Sequence, residues 1–186
     1  MKIESLDALL QNELRDLYDC EKRLMKALPK LAKAASSPEL REAFQEHLEV
    51  TKGHVQRLEE AFEMLGTRAK AQTCPGIKGI IEEGEEMIDM DADEQIHDAA
   101  LVGAAQRAEH YEIAAYGTVR TIAEHLGKQD IADLMQSTLD EEKEADDKLS
   151  EIGISLLQSA GTSGGGAEPA SQGREMRRKG KRVRTA

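Results

Sequence analysis

Residues 106–116 read QRAEHYEIAAY and place two carboxylates where a helix is expected to bury apolar side chains. Glu109 and Glu112 stand on a stripe whose members recur every three or four residues, the spacing of one buried helical face. Burying an ionised carboxylate without a partner costs several kcal/mol, so these two must be paired, protonated or bound to a metal. The whole stripe runs Val102, Ala105, Glu109, Glu112, Tyr116, Val119, Ala123 and Leu126.

The same spacing predicts four long helices, over residues about 5–35, 38–65, 93–126 and 129–152, and a short additional helix over about 76–90. The first two helices are joined tightly and are therefore expected to be antiparallel neighbours. The link between the second and third is long enough to cross the bundle. We predict an all-α fold, a ferritin-like antiparallel four-helix bundle with one long crossover, as a single domain over residues 1–160.

Polar residues also interrupt the apolar stripes of the other long helices. Residues equidistant from the turn of an antiparallel hairpin lie at the same height, because both helices rise about 1.5 Å per residue. Two hairpins packed with their loops at the same height would then bring all the polar groups together. The pairs matched in height are Glu21 with His54, Glu112 with Glu142 or Lys143, and Glu109 with Asp146.

Carboxylates and imidazoles that converge inside a bundle suit a pair of iron or manganese ions. The usual pattern has a Glu on each of two helices and Glu-x-x-His on the other two. Here the matching slots read Thr51-x-x-His54 and Glu142-x-x-Ala145, so His47 and Asp146 are the substitutes. The predicted metal ligands are Glu21, His47, His54, Glu109, Glu112, Glu142 and Asp146. The alternative is a buried polar network, in which tyrosines and protonated carboxyls satisfy one another.

Composition narrows the class of protein. No run of about 18 apolar residues exists and the N-terminus lacks the pattern of a secretion signal, so we expect neither a membrane span nor export. Cys20 and Cys74 are far apart and outside metal-like spacing, which predicts reduced thiols in a cytoplasmic protein. No motif for an organic cofactor is found.

The C-terminal segment 161–186 is predicted to be a flexible tail, Gly/Ser-rich and then basic. Seven basic and two acidic residues give it a charge of +5 within a total of −11, which leaves −16 on the remainder. Such a tail is of the kind that contacts nucleic acid. It has no aromatic residue for base stacking, and we favour a solubilising tail that lies on the acidic body.

Several stretches together resemble the YciF/YciE family of ferritin-like, rubrerythrin-related stress proteins. They are LRDLYDCEKRL (14–24), HLEVTKGHVQRL (47–58), CPGIKGIIEEG (74–84), DAALVGAAQRAEHYEIAAYGT (98–118) and LDEEKEADDKL (139–149). The resemblance implies a four-helix bundle with an additional helix, a homodimer, a dinuclear metal site and a link to stress responses. The chain departs from the family in the incomplete Glu-x-x-His pattern and at Val50, where an acidic residue commonly follows Glu49.

Two functions are consistent with these features. The first is a di-metal oxidoreductase or iron-handling protein that oxidises metal or reduces oxygen or peroxide. The second is a non-enzymatic helical-bundle dimer, a stress-related binding protein whose polar core is structural. Whether the protein is an enzyme is left open by the sequence, since no rubredoxin-like Cys-x-x-Cys arm or other electron-donor motif is found.

Overall fold

A computed structural model describes residues 3–163 and contains five α-helices in that range. They are α1 (Leu6–Ala34), α2 (Pro38–Met64), α3 (Pro75–Ile88), α4 (Glu94–His125) and α5 (Gln129–Ser163). The α1–α2 and α4–α5 hairpins form the bundle, with α1 beside α4 and α2 beside α5. The link that carries α3 joins helices on opposite corners, and α3 packs on α1 and α4. The all-α, ferritin-like bundle with one long crossover is thus confirmed.

Local sequence signals set the helix ends. The Ser5 and Ser37 hydroxyls each accept a hydrogen bond from the first turn of the helix that follows, at 3.1 and 3.3 Å, and Pro38 occupies the first turn of α2. Gly66 and Gly127 follow α2 and α4 with φ of 65° and 70°. This left-handed conformation suits glycine and turns the chain sharply after each helix.

The two hairpin loops lie at opposite ends of the bundle, which corrects the packing assumed from the sequence. The backbone N–H groups of Ser36 and Ser37 donate to Asp98 at 2.9 and 2.7 Å, and this fixes the α1–α2 loop beside the start of α4. At the other end, Lys128 in the α4–α5 loop pairs with Asp7 near the start of α1. The polar groups still meet, because each stands near the middle of its long helix.

The end of α5 is a second correction. The sequence predicted a helix that ends near residue 152 and a tail from 161, whereas α5 continues to Ser163. Gly153 does not cap the helix; it lies where a Cβ would come within 3.2 Å of Val102 Cγ1. Leu156, beyond the predicted end, packs against the apolar cluster at that end of the bundle. The other predictions about the tail fall on residues outside the described range.

The polar residues form a layer between two apolar clusters. One cluster includes Leu14, Phe62 and Met135, and the other includes Phe44 and Leu101. Each draws side chains from all four long helices, so the middle layer is closed at both ends. Within residues 3–163, no helix combines the length and the apolar character that crossing a membrane requires.

Candidate metal centre

Side chains from all four long helices meet in the middle layer. Glu21 comes from α1, His54 from α2, Glu109 and Glu112 from α4, and Glu142 from α5; each is at most 3% exposed. Four carboxylates are therefore buried close together inside the bundle. Such a concentration of acid groups requires protons or cations to balance it.

The first group of candidate ligands consists of Glu21, His54 and Glu142. His54 Nδ1 lies 3.4 Å from Glu21 Oε1 and 3.0 Å from Glu142 Oε1. It makes no well-directed hydrogen bond to either oxygen. The Tyr116 hydroxyl donates to the same Glu21 oxygen from α4. One nitrogen and two carboxylate oxygens thus face a common point.

The second group consists of His47, Glu109 and Glu142. His47 Nε2 lies 3.4 Å from Glu109 Oε2 and 3.6 Å from Glu142 Oε2. Glu142 belongs to both groups, with Oε1 directed toward His54 and Oε2 toward His47. A carboxylate placed in this way has the geometry of a bridge between two cations.

Glu112 adjoins these groups and touches a thiol. Its Oε1 is 3.7 Å from Cys20 Sγ, and its Oε2 has no hydrogen-bond partner. Burial raises the pKa of the Cys20 thiol well above its usual range, and the charge of Glu112 raises it further. Cys20 is therefore a neutral thiol beside the carboxylates.

A chain of polar contacts supports His54 from outside the layer. His54 Nε2 lies 2.8 Å from Glu141 Oε2, in hydrogen-bond geometry. Arg57 donates two hydrogen bonds to the Glu141 carboxylate, at 2.6 and 2.7 Å. A carboxylate on the outer nitrogen of a histidine fixes the tautomer and aims the inner nitrogen at a metal. This arrangement is what a ligating histidine requires.

The pKa values reflect the crowding of acid groups. Burial raises the pKa of both Glu109 and Glu112 well above the usual 4.5, and the charge of Glu142 adds to each shift. Burial lowers the pKa of His54, but Glu142 and Glu21 oppose it more strongly and the result is about 10. Without metal, these raised pKa values favour protonation of Glu109, Glu112 and His54, which reduces the negative charge of the layer.

Hydrogen bonding within the layer remains incomplete. Of eight buried side-chain atoms without a hydrogen bond in the described part of the chain, six belong to this layer. They are Glu21 Oε2, His54 Nδ1, Glu109 Oε2, Glu112 Oε2 and both oxygens of Glu142. Buried polar atoms are normally paired, so unpaired oxygens and a nitrogen at one place fit a cation site.

The structure brings together six of the seven predicted ligands and leaves Asp146 apart. Asp146 accepts a hydrogen bond from Gln106 at 3.0 Å, and His110 Nε2 is 3.2 Å from it. It lies at the right height, but its side chain is turned toward the outer side of α4. Equal height on two helices does not fix the direction of a side chain.

Sequence reasoning missed two contacts of the layer. Cys20 was interpreted only as a reduced thiol, although its neighbour Glu21 was already assigned to the buried face. Glu141 and Arg57 were not singled out, because each stands next to the inward stripe of its own helix. Their meeting depends on how α2 and α5 are turned toward each other, which spacing along one helix does not give.

Comparison with known proteins agrees with the fold. Protein YciF of Escherichia coli (strain K12) is 41% identical over 155 residues, which are 83% of this chain and 93% of that protein. The crystal structure of this E. coli stress protein matches with a TM-score of 0.82, at 40% identity, over 84% of this chain and 99% of that one. A putative structural protein from Rhodopseudomonas palustris matches with a TM-score of 0.78 at 41% identity, over 80% of this chain and 95% of that one.

A more distant structure has the same fold. The dodecameric thioferritin of Bacteroides fragilis, a bacterioferritin-related protein, matches with a TM-score of 0.63 at 15% identity, over 86% of this chain and 92% of that one. The sequence profile described as a domain of unknown function, DUF892, matches residues 5–160. The chain therefore belongs to the DUF892 family, together with the stress protein YciF.

Proposed function

We propose that this protein binds two iron or manganese ions in the middle of its bundle and uses them to reduce peroxide or oxygen. The observation that carries the proposal is the set of six unpaired buried atoms on five ligand-type residues. Glu21 and His54 would hold one ion, His47 and Glu109 the other, and Glu142 would bridge them. Glu112 would complete the shell of the first ion.

Two divalent iron or manganese ions held by these residues would supply the two electrons that reduction of a peroxide O–O bond requires, with two protons taken up from solvent. The chain itself would control charge and orientation. Glu109 and Glu112 release protons as the ions enter, since metal ligands bind in their deprotonated form. His54 loses the Nδ1 proton and keeps Nε2–H on Glu141, which holds the ring in position. The two apolar clusters cover the layer at its two ends.

The metal content of the protein tests the proposal. The full chain is purified without chelators from cells grown with iron and manganese, and the metals are counted by mass spectrometry. We expect about two ions per chain, as in other di-metal carboxylate bundles. Repeated preparations that carry far less than one iron or manganese per chain would overturn the proposal, and the protein would then be a bundle with a structural polar core.

The structural-core alternative rests on contacts that need no metal. Tyr116 donates to Glu21, Cys20 lies against Glu112, and a protonated His54 balances part of the charge. This function predicts full stability in the presence of chelators. The metal proposal predicts a lower melting temperature after chelation, by about 5–10 °C if the ions are present at 100 times their Kd.

We further propose a homodimer that works in the cytoplasm. The family resemblance supports the dimer, as do exposed apolar side chains near the end of α5: Ile154 is 57% and Leu157 63% exposed. The reduced cysteines Cys20 and Cys74 fit a reducing compartment. Light scattering after size exclusion tests the dimer, and replacement of Leu157 by Glu is expected to give monomers. Cell fractionation tests the location.

A further inference from the structure

A half-open cavity of about 210 Å³ lies between α2 and α5 and reaches the second group of candidate ligands. His47 and Glu109 form its floor, where Glu109 is buried and His47 nearly so. Two candidate metal ligands, His47 and Glu109, therefore line a cavity that opens to the surface. Its apolar walls come from Ala43, Phe44, Val50, Ala145 and Leu149, and its rim from Glu46, Glu144 and Lys148.

Ala145 explains why the cavity exists. Residues three apart share a helix face, so Ala145 stands one turn beyond Glu142 on the side that faces the layer. A large side chain at this position would extend toward His47 and Glu109, whereas the methyl group leaves the space open. The first group has no such opening, because Glu21 and His54 are fully buried. The second ion position is therefore the accessible one.

The size of the cavity limits what it can hold. Its volume is below the roughly 300–1,000 Å³ of sites for drug-sized ligands. It is about seven times the ~30 Å³ that one water occupies in the liquid. A molecule of a few non-hydrogen atoms fits, and a long chain or a ring system does not.

The lining determines the chemistry of the occupant. Five apolar side chains favour an alkyl group, for which hydrogen peroxide has no counterpart. On the rim, the cation Lys148 is paired with Glu46, and Glu144 adds a negative charge. A molecule with an apolar body toward the walls and an oxygen end toward the ion position fits this lining best.

We propose that this cavity binds a short-chain alkyl hydroperoxide, with its oxygen end toward His47 and Glu109 and its alkyl group against the apolar walls. The inference rests on the proposed function, because the ion at the second position would offer the oxygen end a ligand site. The inference adds the class of substrate to the proposed function. Organic hydroperoxides of this size, rather than hydrogen peroxide alone, are then molecules on which the protein acts.

The test measures binding to the full-length, zinc-loaded protein, because zinc undergoes no redox change and the hydroperoxide stays intact. The probe is tert-butyl hydroperoxide, observed by saturation-transfer NMR, with tert-butanol as its unreactive analogue. We expect transfer to the methyl signal of both compounds and competition between them. Transfer to both compounds without competition would overturn the assignment of one binding cavity.

Variants locate the binding. Ala145→Phe fills the cavity and should weaken binding at least about tenfold, or about 1.4 kcal/mol. Ala114→Phe, the same change at an exposed position of α4, should leave it unchanged. If Ala145→Phe does not fold, Val50→Phe on the opposite wall replaces it. Two zinc ions per chain without saturation transfer, or unchanged binding in the filled variant, would overturn this inference alone. Zinc well below one per chain would overturn the proposed function and this inference with it.

Discussion

The two groups of candidate ligands share Glu142 but differ in their surroundings. The first group is sealed: His54 is fully buried, and the Glu141–Arg57 pair holds its outer nitrogen. The second group borders a cavity, and the His47 side chain is 11% exposed. A sealed, supported position suits an ion that stays in place. An open position suits an ion that meets a substrate. The difference implies that the two proposed ions, once bound, would have different tasks.

The largest expected effect comes from the residue that the two groups share. Glu142→Gln removes the charge of the carboxylate that faces both His54 and His47. The variant should lose most of both ions, as measured by metal content after purification without chelators. Glu151→Gln is the matched control, since Glu151 is an exposed residue of the same helix. Retention of both ions in Glu142→Gln would show that this carboxylate is no bridge.

Changing one histidine at a time should separate the two positions. His47→Ala should lose the ion at the open position and keep about one ion per chain, since Glu21, His54 and Glu142 remain. His54→Ala should lose the sealed ion. Titration with manganese, followed by electron paramagnetic resonance, distinguishes one bound ion from a coupled pair. If both variants behave alike, the contrast between the two positions is wrong.

Weakening the contacts of Glu141 with His54 and Arg57 should lower the affinity for one ion only. Glu141→Gln weakens the hydrogen bond to Nε2 and the pairing with Arg57. Loss of such a supporting carboxylate lowers metal affinity by roughly 10–100-fold. A competition titration with a metal indicator should show one weakened site and one unchanged site. Glu144→Gln, an exposed neighbour on the rim of the cavity, should leave the sealed site unchanged.

The smallest effect is on thermal stability as a function of pH. The pKa values of Glu109 and Glu112 are raised by burial and act in the same direction as that of His54. The pKa of His54 is raised from 6.5 to about 10, so between pH 7 and 9 the metal-free folded state holds a proton on His54 that the unfolded chain has released. Its stability therefore falls as pH rises, by about 1.4 kcal/mol per pH unit for each proton retained. The lowered pKa values of Glu142 and His47 act only at lower pH.

Metal should reverse this trend, because protons compete with it for the same atoms. The melting temperature of the metal-free protein should fall by about 5–10 °C from pH 7 to 9 because of the proton retained on His54. The gain on adding metal should grow over the same range. Scanning calorimetry measures both. A metal-free protein whose melting temperature rises with pH would mean that the carboxyls are ionised and already paired.

Much of the fold followed from the sequence because its signals are local. Helical spacing gave the long helices, and Glu109, Glu112, Glu21 and Glu142 stood out as charges on apolar stripes. The orientation of the two hairpins did not follow, since groups at the middle of a helix meet whichever end the loop occupies. The end of α5 was missed because the close packing of Gly153 against Val102 cannot be recognised from its position in the sequence.

The candidate site was less fully predictable, since it depends on how helices are turned about their axes. Asp146 has the right height and the wrong direction, and it pairs with Gln106. Glu141 and His54, which are in contact, lie 87 positions apart in the sequence and on different helices. The cavity at Ala145 exists because alanine has only a methyl side chain there. Its size depends on the walls contributed by α2, which the α5 sequence alone does not indicate.

The most direct test of the central claim is anomalous diffraction from a crystal of the metal-loaded protein, with data at the iron and manganese edges. Two peaks are predicted on either side of Glu142. One should lie within bonding distance of Glu21 and His54, and the other should lie close to His47 and Glu109 at the floor of the cavity. Absence of any peak in the layer, with the carboxyls hydrogen-bonded to one another, would contradict the account.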